Sequence, residues 1–237
     1  MTPSRSLYQY STASALMAGV AGKGIRLSEL LSHGNYGLGT MVNIDGEVIV
    51  NNGIAYHMQP SGSIRTLDAS SELPFAMVAR LETNDPHSVA GLQTKQSIQE
   101  NLLKLYPGAT NRFIVFLIEG RFDTMTTRVV QGQKYPGQPL SELGDQQKLT
   151  RYCDVQGAVV GFLNPSFIDG VSVSGLHAHF LSSDKTFGGH VLEVKSEGTI
   201  RLVADVLNSF ILELPDNNDF DKATLELDGE ALRKVEG

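Results

Sequence analysis

The sequence predicts a strand-rich chain built as two halves with few helices, and three observations carry that expectation. Short apolar or alternating segments bounded by turn residues recur along the whole chain. Asp-Gly and Asn-Gly pairs stand between such segments at 45–46 and 52–53, which is strong hairpin chemistry. Helical spacing is confined to a few stretches, and Pro136, Gly137 and Pro139 mark a surface connection suited to a boundary between halves. The halves are then 7–139 and 140–237.

Residues 1–6 read as an unstructured lead. Ser11 or Thr12 can cap a short helix with Leu16, Met17 and Val20 on one apolar stripe, ended by Gly22 and Gly24. A second short helix covers 27–31. The run 33–40 contains Gly34, Gly37 and Gly39 but lacks the Lys-Ser/Thr ending of a phosphate-binding loop, so it reads as a tight connection. Strands are expected at 41–44 and 47–51, joined by a type I′ turn at Asp45-Gly46, with Glu47 opening the second strand. Asn52-Gly53 turns the chain into 54–58, and 63–66 completes a meander around Pro60-Ser61-Gly62. A strand at 74–81 follows. Ile98, Leu102 and Leu105 have helical spacing over 94–105, and Pro107-Gly108 stops that helix. Strands at 111–119 and 124–131 come next. The second carries Arg128, whose simplest reading is a side chain reaching out to water. Beyond the boundary, strands are expected at 155–163, 170–181, 190–194, 199–206 and 210–214. The charged end of the chain, with Glu236, reads as solvated.

Three of the six histidines fall at 177, 179 and 190. Residues two apart on a strand share a face, so His177 and His179 project together while Ala178 points away. Ser182-Ser183-Asp184-Lys185 is turn chemistry, and a reversal between Asp184 and Lys185 sets His179 opposite His190. Three imidazoles at one point suit a divalent transition metal. Zinc leads, because it accepts three His and keeps a position open. The competing reading is a solvated or backbone-satisfied face, and a bulge at Gly188-Gly189 would turn His190 away.

Composition bounds the rest. At 237 residues and 41% hydrophobic content the chain can bury a sizeable core. A net charge of −7, from 26 acidic and 19 basic residues without a Lys/Arg cluster, argues against nucleic acid as a partner. Cys153 is the single cysteine, which excludes an internal disulfide, suits a reducing cytosol and reads as a small buried hydrophobe. The apolar run 13–21 is too short to span a membrane and is only weakly signal-like, so the chain is expected to be soluble and cytoplasmic, with export left open.

Several motifs in order resemble one known family. They are Leu7-Tyr8-Gln9-Tyr10-Ser11-Thr12, Gly37-Leu38-Gly39-Thr40, Asp45-Gly46-Glu47, Thr127-Arg128, Gly175-Leu176-His177-Ala178-His179-Phe180 through Gly188-Gly189-His190-Val191-Leu192, and Lys234-Val235-Glu236. Together they resemble the α-acetolactate decarboxylases of the bacterial acetoin pathway. The resemblance implies an α+β fold of two strand-rich halves of mixed sheet, each curling partway to a barrel. It implies zinc on His177, His179 and His190, functional glutamates at Glu47 and Glu236, an active-site arginine at Arg128, and Thr40 near the site. Family members are dimers, so it also implies a homodimer.

The implied reaction converts 2-acetolactate to acetoin and carbon dioxide. A cation that chelates the ketone and hydroxyl oxygens stabilises the enediolate left by carbon dioxide, so no organic cofactor is needed, and other divalent transition metals suit the same role. Arg128 suits the carboxylate or the enediolate. Glu47 and Glu236 can orient the hydroxyl, deliver the proton or complete the metal shell, and a water relay is equally open. Two rival readings stand beside this one. The small domain attached to AT-hook proteins has a similar His pattern and acts in DNA-associated assemblies, but this chain lacks an Arg-Gly-Arg-Pro hook. Cupin metal enzymes also use H-x-H, but they place a Glu shortly after it, where this chain has Ser182-Ser183-Asp184.

Overall fold

The computed structural model describes residues 5–143 and 147–225. In chain order its strands are β1 (Ser6–Tyr10), β2 (Ile25–Arg26), β3 (Tyr36–Thr40), β4 (Glu47–Asn51), β5 (Ile54–Met58), β6 (Ile64–Thr66) and β7 (Glu72–Leu73). They continue as β8 (Phe75–Ala79), β9 (His87–Leu92), β10 (Phe113–Val129), β11 (Lys148–Asn164), β12 (Gly175–Ser182), β13 (Gly188–Leu207) and β14 (Ser209–Glu213). The helices are α1 (Ala13–Met17), α2 (Leu27–His33), α3 (Lys95–Leu105), α4 (Leu140–Leu143) and α5 (Asn218–Lys222).

Strands β14-β1-β8-β3-β4-β5-β6 form a seven-stranded mixed sheet, with β1 and β14 parallel. Strands β10-β11-β12-β13-β9 form a second sheet that curls on itself, because β10 also pairs with β13. The 136–139 connection joins β10 to β11, antiparallel neighbours in that second sheet, and β14 crosses back to the first.

Alternation along the strands builds three apolar layers. Leu38, Ile49, Met58 and Met77 of the first sheet meet Val115, Val160, Phe162, Leu181 and Val203 of the second. On the outer face of the second sheet, Phe116, Ala178 and Phe180 pack on Ile98 and Leu102 of α3. Val48, Val50, Ala76 and Val78 pack on Leu27 and Leu30 of α2. Each large apolar side chain buried this way contributes about 1.5–3 kcal/mol. Helix α3 starts where expected: the Thr94 hydroxyl accepts from the Ser97 amide at 3.3 Å and the Ser97 hydroxyl accepts from the Thr94 amide at 3.1 Å.

Four expectations are corrected. The glycine run before Thr40 is not a connection but strand β3, whose glycines let β8 approach: a Cβ on Gly37 would lie 2.1 Å from the Met77 carbonyl oxygen. Asp45-Gly46 is not a two-residue hairpin, since Thr40 pairs with Glu47 and the connection is 41–46, with a 3-10 turn at Val42–Ile44. The strands expected at 111–119 and 124–131 are one strand, β10, as are those at 190–194 and 199–206, in β13; the residues between the expected strands sit at register shifts within the continuous strands. Cys153 is exposed rather than buried. The reversal at Asn52-Gly53 is type I′, with φ of 51° and 77°. Among the described residues no helix is long and apolar enough to cross a membrane.

Candidate active site

The site lies between the two sheets. Strand β12 presents His177 and His179 inward while Ala178 and Phe180 face α3. The turn at Asp184-Lys185 then pairs His179 with His190 across β12 and β13. That turn is tied by the Asp184 carboxylate, which accepts from the Ser182 and Thr186 hydroxyls at 2.6 and 2.8 Å. The three rings form a nearly equilateral triangle with centroids 5.1, 5.4 and 5.5 Å apart.

A bulge beside this hairpin decides what stands next to His190. Thr127 pairs with Val191 but Thr126 with Glu193, so Leu192 is the extra residue on β13. The slip sets Arg128 directly opposite His190 and on its face. Without it, Arg128 would pair with Val191 and share that residue's face, leaving His190 on the other side of the sheet. Arg128 is only 2% exposed and is the bulkiest of the fully buried side chains.

The opposite wall comes from the first sheet. Glu47 opens β4 and is 6% exposed, with its Oε2 3.5 Å from His179 Nε2. His179 Nδ1 is 2.8 Å from the Val48 carbonyl oxygen. A carbonyl only accepts, so Nδ1 carries a proton, and in the neutral form that binds metal the ring turns its Nε2 lone pair toward the Glu47 carboxylate. Two lone-pair-bearing atoms facing each other at that distance suit a cation between them. Thr40 pairs with Glu47 and donates its hydroxyl to the Gly46 carbonyl at 2.7 Å. Glu236 lies outside the described residues. The adjoining cavity is lined on its apolar side by Leu16, Met17, Phe75, Leu140 and Val173.

The donor set fits a transition metal. One ligand atom from each of His177, His179 and His190 lies within 4.8 Å of the others, and all three residues are buried. Small ring rotations bring such atoms to zinc–nitrogen distances of about 2.0–2.1 Å. Burial, reinforced by the charges of Lys95 and Arg128, pushes the His177 pKa down to about 3. Burial, then Arg128, also holds His190 well below the usual histidine range. Both rings are therefore neutral, the form that binds metal.

Two contributors escaped the sequence. Lys95 stands at the start of α3, and its charge lowers the pKa of His177 and His190. His57, 1% exposed on β5, donates from Nε2 to the Asp45 carbonyl at 2.5 Å. Its position was readable, because the Asn52-Gly53 turn sets residue 57 opposite residue 48.

Burial also lowers the pKa of His57. The unfolded chain takes up a proton near 6.5 that the folded chain refuses at His177 down to about 3, so stability rises with pH over that window, and the lowered pKa values of His57 and His190 act in the same direction. Chelated protein at pH 5.5 is expected to have a lower urea midpoint than at pH 7.5, with His177 alone accounting for about 1 kcal/mol of unfolding free energy. An equal or higher midpoint at pH 5.5 contradicts this.

Comparison with known proteins agrees with this geometry. A family model described as alpha-acetolactate decarboxylase matches residues 7–227. The alpha-acetolactate decarboxylase of Lactococcus lactis subsp. cremoris (strain MG1363) is 35% identical, covering 99% of this chain and 98% of its own. That of Bacillus subtilis (strain 168) is 30% identical, covering 94% of this chain and 87% of its own. The crystal structure of alpha-acetolactate decarboxylase from Bacillus subtilis strain 168 matches with a TM-score of 0.92 at 29% identity, over 98% of this chain and 99% of that one. With its family model matched over both sheets and relatives of 30% identity or more along nearly its whole length, this chain belongs to the alpha-acetolactate decarboxylase family.

Proposed function

We propose that this enzyme decarboxylates 2-acetolactate to acetoin and carbon dioxide, with zinc held by His177, His179 and His190. The observation that carries the reading is the convergence of these buried rings with Glu47 and Arg128 between the two sheets. When bound, the metal supplies a Lewis acid for the ketone and hydroxyl oxygens and for the negative charge that departing carbon dioxide leaves behind.

The chain's own residues do the rest. Arg128 holds the substrate carboxylate, or the developing oxyanion, with a planar fork that stays charged. Its fixed place opposite His190 means that little reorganisation is needed as charge moves. Glu47 orients the substrate hydroxyl, and it or Glu236 returns the proton to carbon. The Thr40 hydroxyl spends its proton on Gly46 and turns its lone pairs toward the cavity that Glu47 also lines. Leu16, Met17 and Phe75 receive the methyl groups and exclude water from the charge being made. We further assign the enzyme to acetoin formation in the cytoplasm, as a homodimer.

Replacing Glu47 with glutamine keeps size and hydrogen bonding but removes the carboxylate. It is expected to lower kcat by about 10²–10⁴-fold with metal content nearly intact. Acetoin formation by Glu47→Gln at close to the wild-type rate would remove Glu47 from the chemistry.

A further inference from the structure

We infer that His57 is a positioning residue: with Arg65 behind it, its neutral ring holds the 45–46 corner from which Thr40 and Glu47 are aimed into the site. The inference rests on the reading of Glu47 given above.

The corner needs holding. Asn43, Ile44 and Gly46 have φ of 62°, 57° and 82°, all left-handed. Ile44 is β-branched and buried, a residue type that seldom adopts that conformation and keeps it only where the surroundings over-determine it. Those surroundings are visible. The Asn43 amide donates to Ala21 at 2.7 Å, and the Gln133 amide donates to the Asn43 carbonyl at 2.7 Å. The Gly46 amide donates to Val130 at 3.2 Å, while Thr40 donates to the Gly46 carbonyl at 2.7 Å. His57 supplies the hold from β5, through the Asp45 carbonyl. The corner lies directly against that strand, since a Cβ on Gly46 would meet the Met58 carbonyl at 2.3 Å and His57 Nε2 at 3.0 Å.

The tautomer is determined by its neighbours. Arg65 Nε donates to His57 Nδ1 at 3.3 Å, so Nδ1 is an acceptor and Nε2 carries the proton given to Asp45. A charged ring would set an Nδ1 proton against the guanidinium. Burial opposes that form as well. Glu47 follows the corner at once, and its carboxylate faces His179. A small tilt at Asp45 is therefore passed to the group that faces the substrate.

Leucine and glutamine separate the roles. His57→Leu removes both hydrogen bonds, whereas in His57→Gln the amide NH2 can donate to Asp45 and its oxygen can accept from Arg65. His57→Leu is expected to lower kcat roughly 10–100-fold, with KM changed far less and bound metal retained. Backbone amide exchange across 41–48 should quicken by about tenfold. His57→Gln should return both readouts toward wild type. If His57→Leu fails to fold, Arg65→Met, changed at the surface, should move kcat and exchange in the same direction by a smaller factor. Wild-type kcat and exchange in His57→Leu, a glutamine variant as impaired as the leucine one, or no change in Arg65→Met would overturn the inference. A wild-type enzyme inactive on acetolactate would sink the functional reading instead, while the exchange comparison still decides whether His57 holds the corner.

Discussion

Arg128→Met is expected to reduce kcat/KM for 2-acetolactate by about 10³-fold, or about 4 kcal/mol of transition-state stabilisation. Methionine fills much of the space and removes the charge, which separates chemistry from packing. The size follows from position. A guanidinium directly opposite His190 and 2% exposed acts where water screens little, so its hold on a carboxylate or oxyanion is far stronger than at a surface. Lysine is not expected to rescue, because a point charge does not reproduce the planar two-pronged contact. Metal content should stay near that of the wild type, as the three imidazoles are untouched. An Arg128→Met enzyme within a few-fold of wild type would refute the assignment of Arg128 to substrate charge.

His179→Ala is expected to lose metal and activity together. This ring is one third of the donor set, and its Nε2 lies 3.5 Å from Glu47 Oε2. Its loss also leaves the buried Val48 carbonyl without the Nδ1 donor, a cost of about 1–3 kcal/mol that should appear as a lower urea midpoint. Element analysis after gel filtration, run beside the acetoin assay, checks both halves of the expectation. Full metal occupancy with wild-type turnover would show that the cation sits elsewhere.

The two predictions differ in how far the sequence foreshadowed their geometry. The pairing of His179 with His190 could be read from letters, because an H-x-H strand, a polar turn and a return strand leave few registers that share a face. The place of Glu47 was half legible: its strand was expected, but from a hairpin at Asp45-Gly46 that does not form. The true partner, β3, hid behind Gly37 and Gly39, which are small because β8 passes close by and not because the chain turns there. Arg128 was harder still. Whether it shares a face with His190 is decided by one extra residue, Leu192, on the neighbouring strand β13. Lys95 acts on the site through its charge and His57 through a backbone carbonyl of the neighbouring corner, and neither role leaves a periodic signature.

The central claim is that a metal ion held by His177, His179 and His190 is needed for acetoin formation. The most direct measurement is the metal content of purified enzyme taken with its acetoin yield from 2-acetolactate, before chelation, after it and after zinc is restored. About one equivalent of metal per chain, activity abolished with its removal and regained with zinc, is the predicted result. Full turnover by protein verified to be metal-free would contradict it.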